Sequence, residues 1–362
     1  MPFLRNTWYV AAWVDDLKPG ELLPRRILDE SIVFFRQDDG AVAAIGNVCP
    51  HRFSPLHLGK LLSGGRIQCP YHGLQYDATG ACVFNPHGNG RIPPGAKVKS
   101  YAARIKHGIV WVWMGEEVPT ETTIPDYSIL DNADPANMAK KDWIRMNANY
   151  LLITENLLDL SHASFLHEGI LGNEETIAAK ISIEQIGETL FVDRESPNSR
   201  IIQMLDLMYL RDGRKVDTWT KMRWDKPACL LNEAGVTEPG APREEGTGIF
   251  GIHLLTPETE TTTLYHFVAV RWNPIPFPED QAAEIRKQLS DLRRQAFEDQ
   301  DQIIIDAQQL HYSDPHIDTS RPALLDVDAG PVRFRRILDR LIAEEDRRAD
   351  EPRREQATAV TR

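Results

Sequence analysis

The chain has 362 residues, 42% of them hydrophobic and 26% charged, with 53 acids against 41 bases and a formal charge of -12. These values exclude a disordered or fibrous protein, and the lack of any polybasic stretch argues against nucleic acid or an anionic membrane as partner. Four cysteines in so long a chain cannot form a disulfide framework, and no run approaches the roughly 18 apolar residues of a spanning helix, so a cytoplasmic protein of two domains is expected.

In chain order, residues 8–14 are apolar but too short and too acid-flanked for a signal peptide, and they read as a strand. Short β-rich runs follow, such as residues 31–36 and 41–45 around the turn Gln37-Asp38-Asp39-Gly40, and residues 105–114 read as the last strand of an all-β domain spanning residues 1–120. The stretch 115–137, with Pro119, Pro125 and Pro135, marks the boundary. Residues 149–165 have helical periodicity, residues 180–272 give several strands, and residues 278–310 form one long helical pattern. The fold class is therefore α+β, with a second domain over residues 121–343 and a charged tail without apolar period at 344–362.

Two short chelating loops stand out in the first domain. Cys49-Pro50-His51 and Cys69-Pro70-Tyr71-His72 are separated by 17 residues, enough for a return strand pair. Zinc takes Cys2His2 sets, but zinc fingers group their cysteines and their histidines separately, whereas here each loop supplies one of each. The mixed arrangement suits a [2Fe-2S] cluster with both thiolates on one iron and both imidazoles on the other, which is a Rieske signature. Proline after each cysteine stiffens the loop, and Gly73 lets backbone pass close to the cluster. Ser54 and Tyr71 stand where respiratory Rieske proteins carry an additional disulfide, a departure that suits a reducing compartment.

In the second domain Asn156, Asp159 and His162 follow one another at steps of three, along one side of a helix. His167 comes five residues after His162, about 140° further round, so both can bind one metal only if the helix ends or distorts between them. His311 and His316 repeat the spacing in a polar stretch beside Pro315 and read as loop. Two histidines and one carboxylate on a single face would leave open positions on Fe(II) for O2 chemistry. In the long C-terminal helix Ile285, Leu289, Leu292, Ala296 and Ile303 form a core stripe, and Phe297, Ile304 and Ile305 a second apolar side with Asp301 in its middle. A carboxylate there needs a cation. Asp301 is preferred to Asp299, Glu298 and Asp306.

Both motifs in this order, with the segments 5–11, 85–90 and 253–260, resemble the Rieske non-haem iron aromatic-ring oxygenases, in the branch that contains the dicamba and vanillate O-demethylases. The resemblance covers nearly the whole chain and implies a helix-grip catalytic domain, an antiparallel sheet around a long C-terminal helix, with Asp301 as carboxylate ligand. It implies electrons from NADH through a separate flavin and [2Fe-2S] reductase or a ferredoxin, since the chain has no dinucleotide fingerprint. It implies O-demethylation of an aryl methyl ether of an aromatic acid, with ring or side-chain hydroxylation as the alternative, and a Rieske carrier without catalytic iron as the alternative outside enzymes. It further implies a homotrimer in which Asp159 links His72 of one chain to His162 of the next, or else orients His162. Asn232 and His253 match positions that hold the aromatic acid, whereas Thr220 and Leu292 depart from an expected amide and an expected indole.

Overall fold

In the computed structural model, which describes residues 3–360 and the side chains of residues 3–349, residues 5–131 and 256–260 form one unit. Its strands are β1 (Trp8–Trp13), β2 (Leu23–Ile27), β3 (Glu30–Arg36), β4 (Val42–Gly46), β5 (Lys60–Leu62), β6 (Arg66–Gln68), β7 (Gln75–Tyr76), β8 (Cys82–Phe84), β9 (Ser100–Tyr101), β10 (Ala103–Lys106) and β11 (Ile109–Trp113). They form three sheets, in the orders β1-β11-β10, β2-β3-β4-β9 and β5-β6-β7-β8. The turn between β3 and β4 closes with the Gly40 N–H on the Gln37 carbonyl at 2.9 Å, where the turn residues place it.

Residues 105–114, read as one strand, are instead the β10–β11 hairpin. His107 and Gly108 take φ of 56° and 70°, the two left-handed positions of a type I′ turn, and Asp131 anchors the His107 ring at 2.5 Å. The unit runs to residue 131 rather than 120, because the proline-rich stretch packs back on β1 through the Trp8 indole, which donates to the Thr120 carbonyl at 3.0 Å. Residues 256–260 join it through backbone bonds of Leu28 and Asp29 to the carbonyls of Pro257 and Glu258, both 2.9 Å.

The second unit comprises residues 132–255 and 261 onward, with residues 3 and 4. Its sheet has seven strands in the order β12-β18-β17-β16-β15-β14-β13, namely β12 (Asp142–Met146), β13 (Lys180–Ile186), β14 (Thr189–Arg200), β15 (Lys215–Asp225), β16 (Cys229–Thr237), β17 (Thr247–Thr259) and β18 (Thr262–Trp272). The helices are α1 (Tyr150–Leu158), α2 (Gln203–Asp206), α3 (Glu279–Arg294), α4 (Gln302–Ser313) and α5 (Ala329–Val360). The α1 sequence is apolar almost all round and the helix is correspondingly buried, capped by the Asn149 side chain on the Leu151 N–H. It shares a core with the sheet and α5, in which Trp224 meets Phe334 edge-on at 5.0 Å. Residues 344–360, expected as a charged tail, continue α5; the side chains after residue 349 and residues 361–362 lie outside the described residues.

Two helical expectations need correction. The helix starting at residue 150 ends at Leu158 rather than running to 165: Asp159 turns out of it at φ −86°, ψ 87°, and His162 begins a separate short 3-10 turn, His162–Ser164. Asp159 and His162 therefore do not share a helical side with Asn156. The long C-terminal pattern is interrupted by a π-helical segment, Gln295–Asp301, between α3 and α4. A π turn takes one residue more than an α turn, so the buried side passes from Ala296 to Asp301 and then returns to steps of four at Ile305 and Gln309. Ile303 and Ile304, expected in the core, are exposed in consequence.

Candidate active site

The two Cys/His loops are built alike. In the first, between β4 and β5, the Cys49 N–H bonds the Ser54 carbonyl at 3.0 Å and the Phe53 N–H returns to the Cys49 carbonyl at 2.9 Å. In the second, between β6 and β7, Cys69 bonds the Leu74 carbonyl at 2.8 Å and Gly73 returns to Cys69 at 3.1 Å. The returning residue is left-handed in both, Phe53 at φ 56° and Gly73 at φ 72°, a conformation that glycine takes freely and phenylalanine does not. Each loop buries its thiol, while the imidazoles of His51 and His72 lie together at the surface with ring centroids 4.4 Å apart.

The Tyr76 hydroxyl lies 3.3 Å from the Cys49 sulfur. Burial pushes the Cys49 thiol up against that hydrogen bond, so a thiolate there needs positive charge beside it. Two buried sulfurs and two surface imidazoles fit a Rieske cluster. Cys82 and Cys229 are buried elsewhere and belong to neither loop.

In the second unit the break after α1 lets His162 and His167 converge. Their Nε2 atoms are 3.2 Å apart, and Asp301 Oδ1, delivered by the last residue of the π segment, lies 3.2 Å from His167 Nε2 and 3.6 Å from His162 Nε2. Among the described residues this is the one cluster of three His, Cys, Asp or Glu side chains with donor atoms close enough to share a metal, all within 4.8 Å of one another. Asp299, its rival, is exposed. His311 closes α4 and His316 follows it, both exposed, so His311 is helical rather than loop.

The other ring nitrogens settle the tautomers. His162 Nδ1 meets the Asp159 carbonyl and His167 Nδ1 meets Gln300 Oε1 at 2.7 Å, and both partners are acceptors, so both Nδ1 atoms carry the proton. Each Nε2 is left with a lone pair aimed at the other and at Asp301, an arrangement that calls for a cation. Burial lowers the pKa of both imidazoles; at His162 it prevails over Asp301, whereas at His167 the Asp301 carboxylate and Gln300 outweigh it and raise the value. The donor set fits mononuclear Fe(II), with one face open.

The neighbours of the triad fall into two groups. Asn156 donates from Nδ2 to Asp301 Oδ1 at 3.1 Å. Asp159 does not orient His162 with its carboxylate, which instead accepts from the N–H and hydroxyl of Ser161 at 2.9 and 2.5 Å; its backbone carbonyl does the orienting. Behind the loop, the buried Arg194 guanidinium holds Ser164 Oγ at 2.5 Å and the Thr176 carbonyl at 2.6 Å, and Gly172 packs where a Cβ would lie 2.6 Å from the Ala163 carbonyl.

The triad opens on a cavity whose walls include Thr220, Met222, Asn232, His253 and Phe297. Asn232 Oδ1 is buried there without a hydrogen-bond partner. His253 Nδ1 lies 2.5 Å from the Tyr265 hydroxyl, and burial, aided by the charge of Arg293, pushes its pKa down to about 3. Phe297 closes the wall, with ring centroids 5.5 Å from His253 and 5.7 Å from Tyr265.

Comparison with known proteins gives two family matches, the Rieske [2Fe-2S] domain over residues 7–102 and the vanillate O-demethylase oxygenase C-terminal domain over residues 146–344. The dicamba O-demethylase oxygenase component of Stenotrophomonas maltophilia is 34% identical over 352 residues, covering 94% of this chain and 98% of that protein. The chain belongs to the Rieske non-haem iron oxygenases. The oxygenase component of a chloroacetanilide N-alkylformylase from Rhizorhabdus wittichii is likewise 34% identical, over 95% of this chain and 97% of its own. A crystal structure of dicamba monooxygenase bound to 3,6-dichlorosalicylic acid superposes with a TM-score of 0.87 at 32% identity, covering 96% and 99% of the two chains. The oxygenase fold is thus the expected one, a Rieske β domain and a catalytic domain whose antiparallel sheet carries the long C-terminal helical segment, and its cofactors are a Rieske cluster and a mononuclear iron.

Sequence reasoning missed Gln300, Tyr265 and Arg194. No spacing marks Gln300, which gains its role only because the π segment turns it toward His167. Tyr265 and Arg194 are single polar residues in strands and carry no local signal.

Proposed function

We propose that this oxygenase O-demethylates an aromatic acid bearing a methyl ether. The carrying observation is the convergence of two imidazole lone pairs and one carboxylate on the wall of a largely aliphatic cavity that also holds Phe297 and the unpartnered Asn232 Oδ1. The overall change would be ArOCH3 + O2 + NADH + H⁺ → ArOH + HCHO + NAD⁺ + H2O, the electrons coming through a separate reductase or ferredoxin. Bound iron would supply O2 activation, fed one electron at a time from the cluster.

The residues of the chain divide the remaining work. His162, His167 and Asp301 would hold the iron, Gln300 and the Asp159 carbonyl fix the imidazoles, and Asn156 fixes the carboxylate. Asn232 and His253 orient the ring. The Tyr265 hydroxyl and His253 Nδ1 share one hydrogen bond, which fixes the imidazole with its Nε2 beside Gly251 in the cavity wall. In a homotrimer the Asp159 carboxylate would link His72 of one subunit to the iron site of the next.

The test is the reconstituted holoenzyme with NADH, a reductase and a panel of aryl methyl ethers. One formaldehyde per substrate consumed is expected, and ring hydroxylation without formaldehyde would overturn the reading.

A further inference from the structure

Beyond the triad the cavity continues into a second chamber, and the two share Asn232, Ile249, His253 and Phe297 among their walls. The chamber wall carries three arginines and no acid. Arg286 is paired, to Glu279 at 2.8 Å. Among the described residues the other two have no carboxylate partner, and Arg271 lies 5.8 Å over the Phe277 ring. Arg271, on β18, is 8% exposed; its Nε has no partner, and its Nη2 reaches the Ile275 carbonyl only at 3.4 Å. Arg293, in the last turn of α3, has Nε and Nη1 buried without partners and rests its guanidinium 4.6 Å over the Phe267 ring.

Asp142 and Glu298 act on Arg293 only through space, and Arg286 opposes Arg271 as a like charge. An aromatic face returns only part of what burying a guanidinium costs. Two forked donors with open N–H groups in one apolar chamber match the planar or trigonal oxygens of an anion.

We propose that Arg271 and Arg293 bind the oxyanion of the substrate, a carboxylate or sulfonate, and so make the enzyme select aromatic substrates carrying that anion away from the carbon that is oxidised. Asn232 and His253, at the junction of the chambers, then contact the ring portion rather than the anion. The assignment rests on the demethylation reading only for which end of the substrate reacts.

The experiment is equilibrium dialysis of the anaerobic holoenzyme against 4-methoxybenzoate, 4-methoxybenzenesulfonate and the neutral 4-methoxybenzamide. At least one anion is expected to bind about 10 to 100 times more tightly than the amide, as for one or two charge-assisted hydrogen bonds, and its preference over the other anion separates carboxylate from sulfonate. Arg293→Gln and Arg271→Gln should bring the anions to the amide's level, whereas Arg293→Lys, which keeps the charge, should retain a preference. Equal binding of anions and amide by the wild type, no binding of either anion, or Gln variants that weaken amide and anions alike would overturn the assignment. Formaldehyde release separates the two readings: release without anion preference sinks the arginine pair alone, and anion preference without release from any ether sinks demethylation alone.

Discussion

Tyr265→Phe is the sharpest probe of the cavity wall, because it deletes one oxygen and leaves every ring in place. The hydroxyl is buried, and burial holds its pKa well above the ordinary value, so it stays protonated and shares a hydrogen bond with His253 Nδ1 at 2.5 Å. Deleting it strands a buried ring nitrogen, which costs about 1–3 kcal/mol. At about 2–4 °C per kcal/mol for a unit of this size, the catalytic transition of the holoenzyme in calorimetry should fall by about 2–12 °C. His253→Leu strands the hydroxyl instead, and the double variant strands neither, so the two losses should overlap by at least about 0.5 kcal/mol. Additive losses would refute the pairing. The same imidazole gives a pH signature. Its folded pKa of about 3 lies below the roughly 6.5 of the unfolded chain, so its contribution is complete above pH 6.5 and drains away as pH falls toward 3, because only the unfolded state takes up the proton. Between pH 6.5 and 5 the wild type should lose about 1.7 kcal/mol more than His253→Leu, the slope rising from half to nearly all of about 1.4 kcal/mol per unit as the unfolded imidazole protonates. Parallel pH profiles would show that His253 is not held neutral by burial.

The remaining predictions concern the metal sites. His51→Ala or His72→Ala should bleach the visible Rieske spectrum and abolish turnover, while Cys82→Ser and Cys229→Ser keep it; a bleached Cys82 variant would mean the ligand loops are misassigned. Asp301→Ala should lose mononuclear iron and retain the cluster spectrum, and Asp299→Ala should retain both, as metal analysis would read; the reverse result would place the ligand on the other side of the helix. Gln300→Leu should weaken iron binding about 10 to 100-fold by freeing His167, and added Fe(II) should restore activity. Asp159→Asn should keep cluster and iron, because an amide oxygen can still accept from Ser161, yet slow oxidation of the prereduced cluster by O2 in rapid mixing; a wild-type rate in the iron-replete variant would remove the inter-subunit link.

How much of this was legible in the sequence follows from whether a feature is local. The cluster loops were, since both chelating pairs and their stiffening prolines lie within four residues, and only the shared left-handed return at Phe53 and Gly73 needed the structure. The iron site was legible in part. The five-residue step from His162 to His167 demands a broken helix, and the break is there, but its position at Asp159 is set by packing of the buried α1 and by the Ser161 turn rather than by any glycine or proline. Register in the long helical segment was legible as far as the π segment, since Ile285, Leu289 and Ala296 are buried as expected, and was lost within it. A pattern read at 3.6 residues per turn assigns Ile303 to the core, and one π segment turns it out while turning Asp301 in. The two facts have one cause: an uninterrupted α-helix would carry its apolar stripe past the histidines, and the wide turn trades one ideal hydrogen-bonded turn for a carboxylate buried where two imidazole lone pairs already point. Asp301 could be chosen from the sequence because its burial without a cation made no sense there, which is a chemical argument and survives a shift of register that defeats a geometric one.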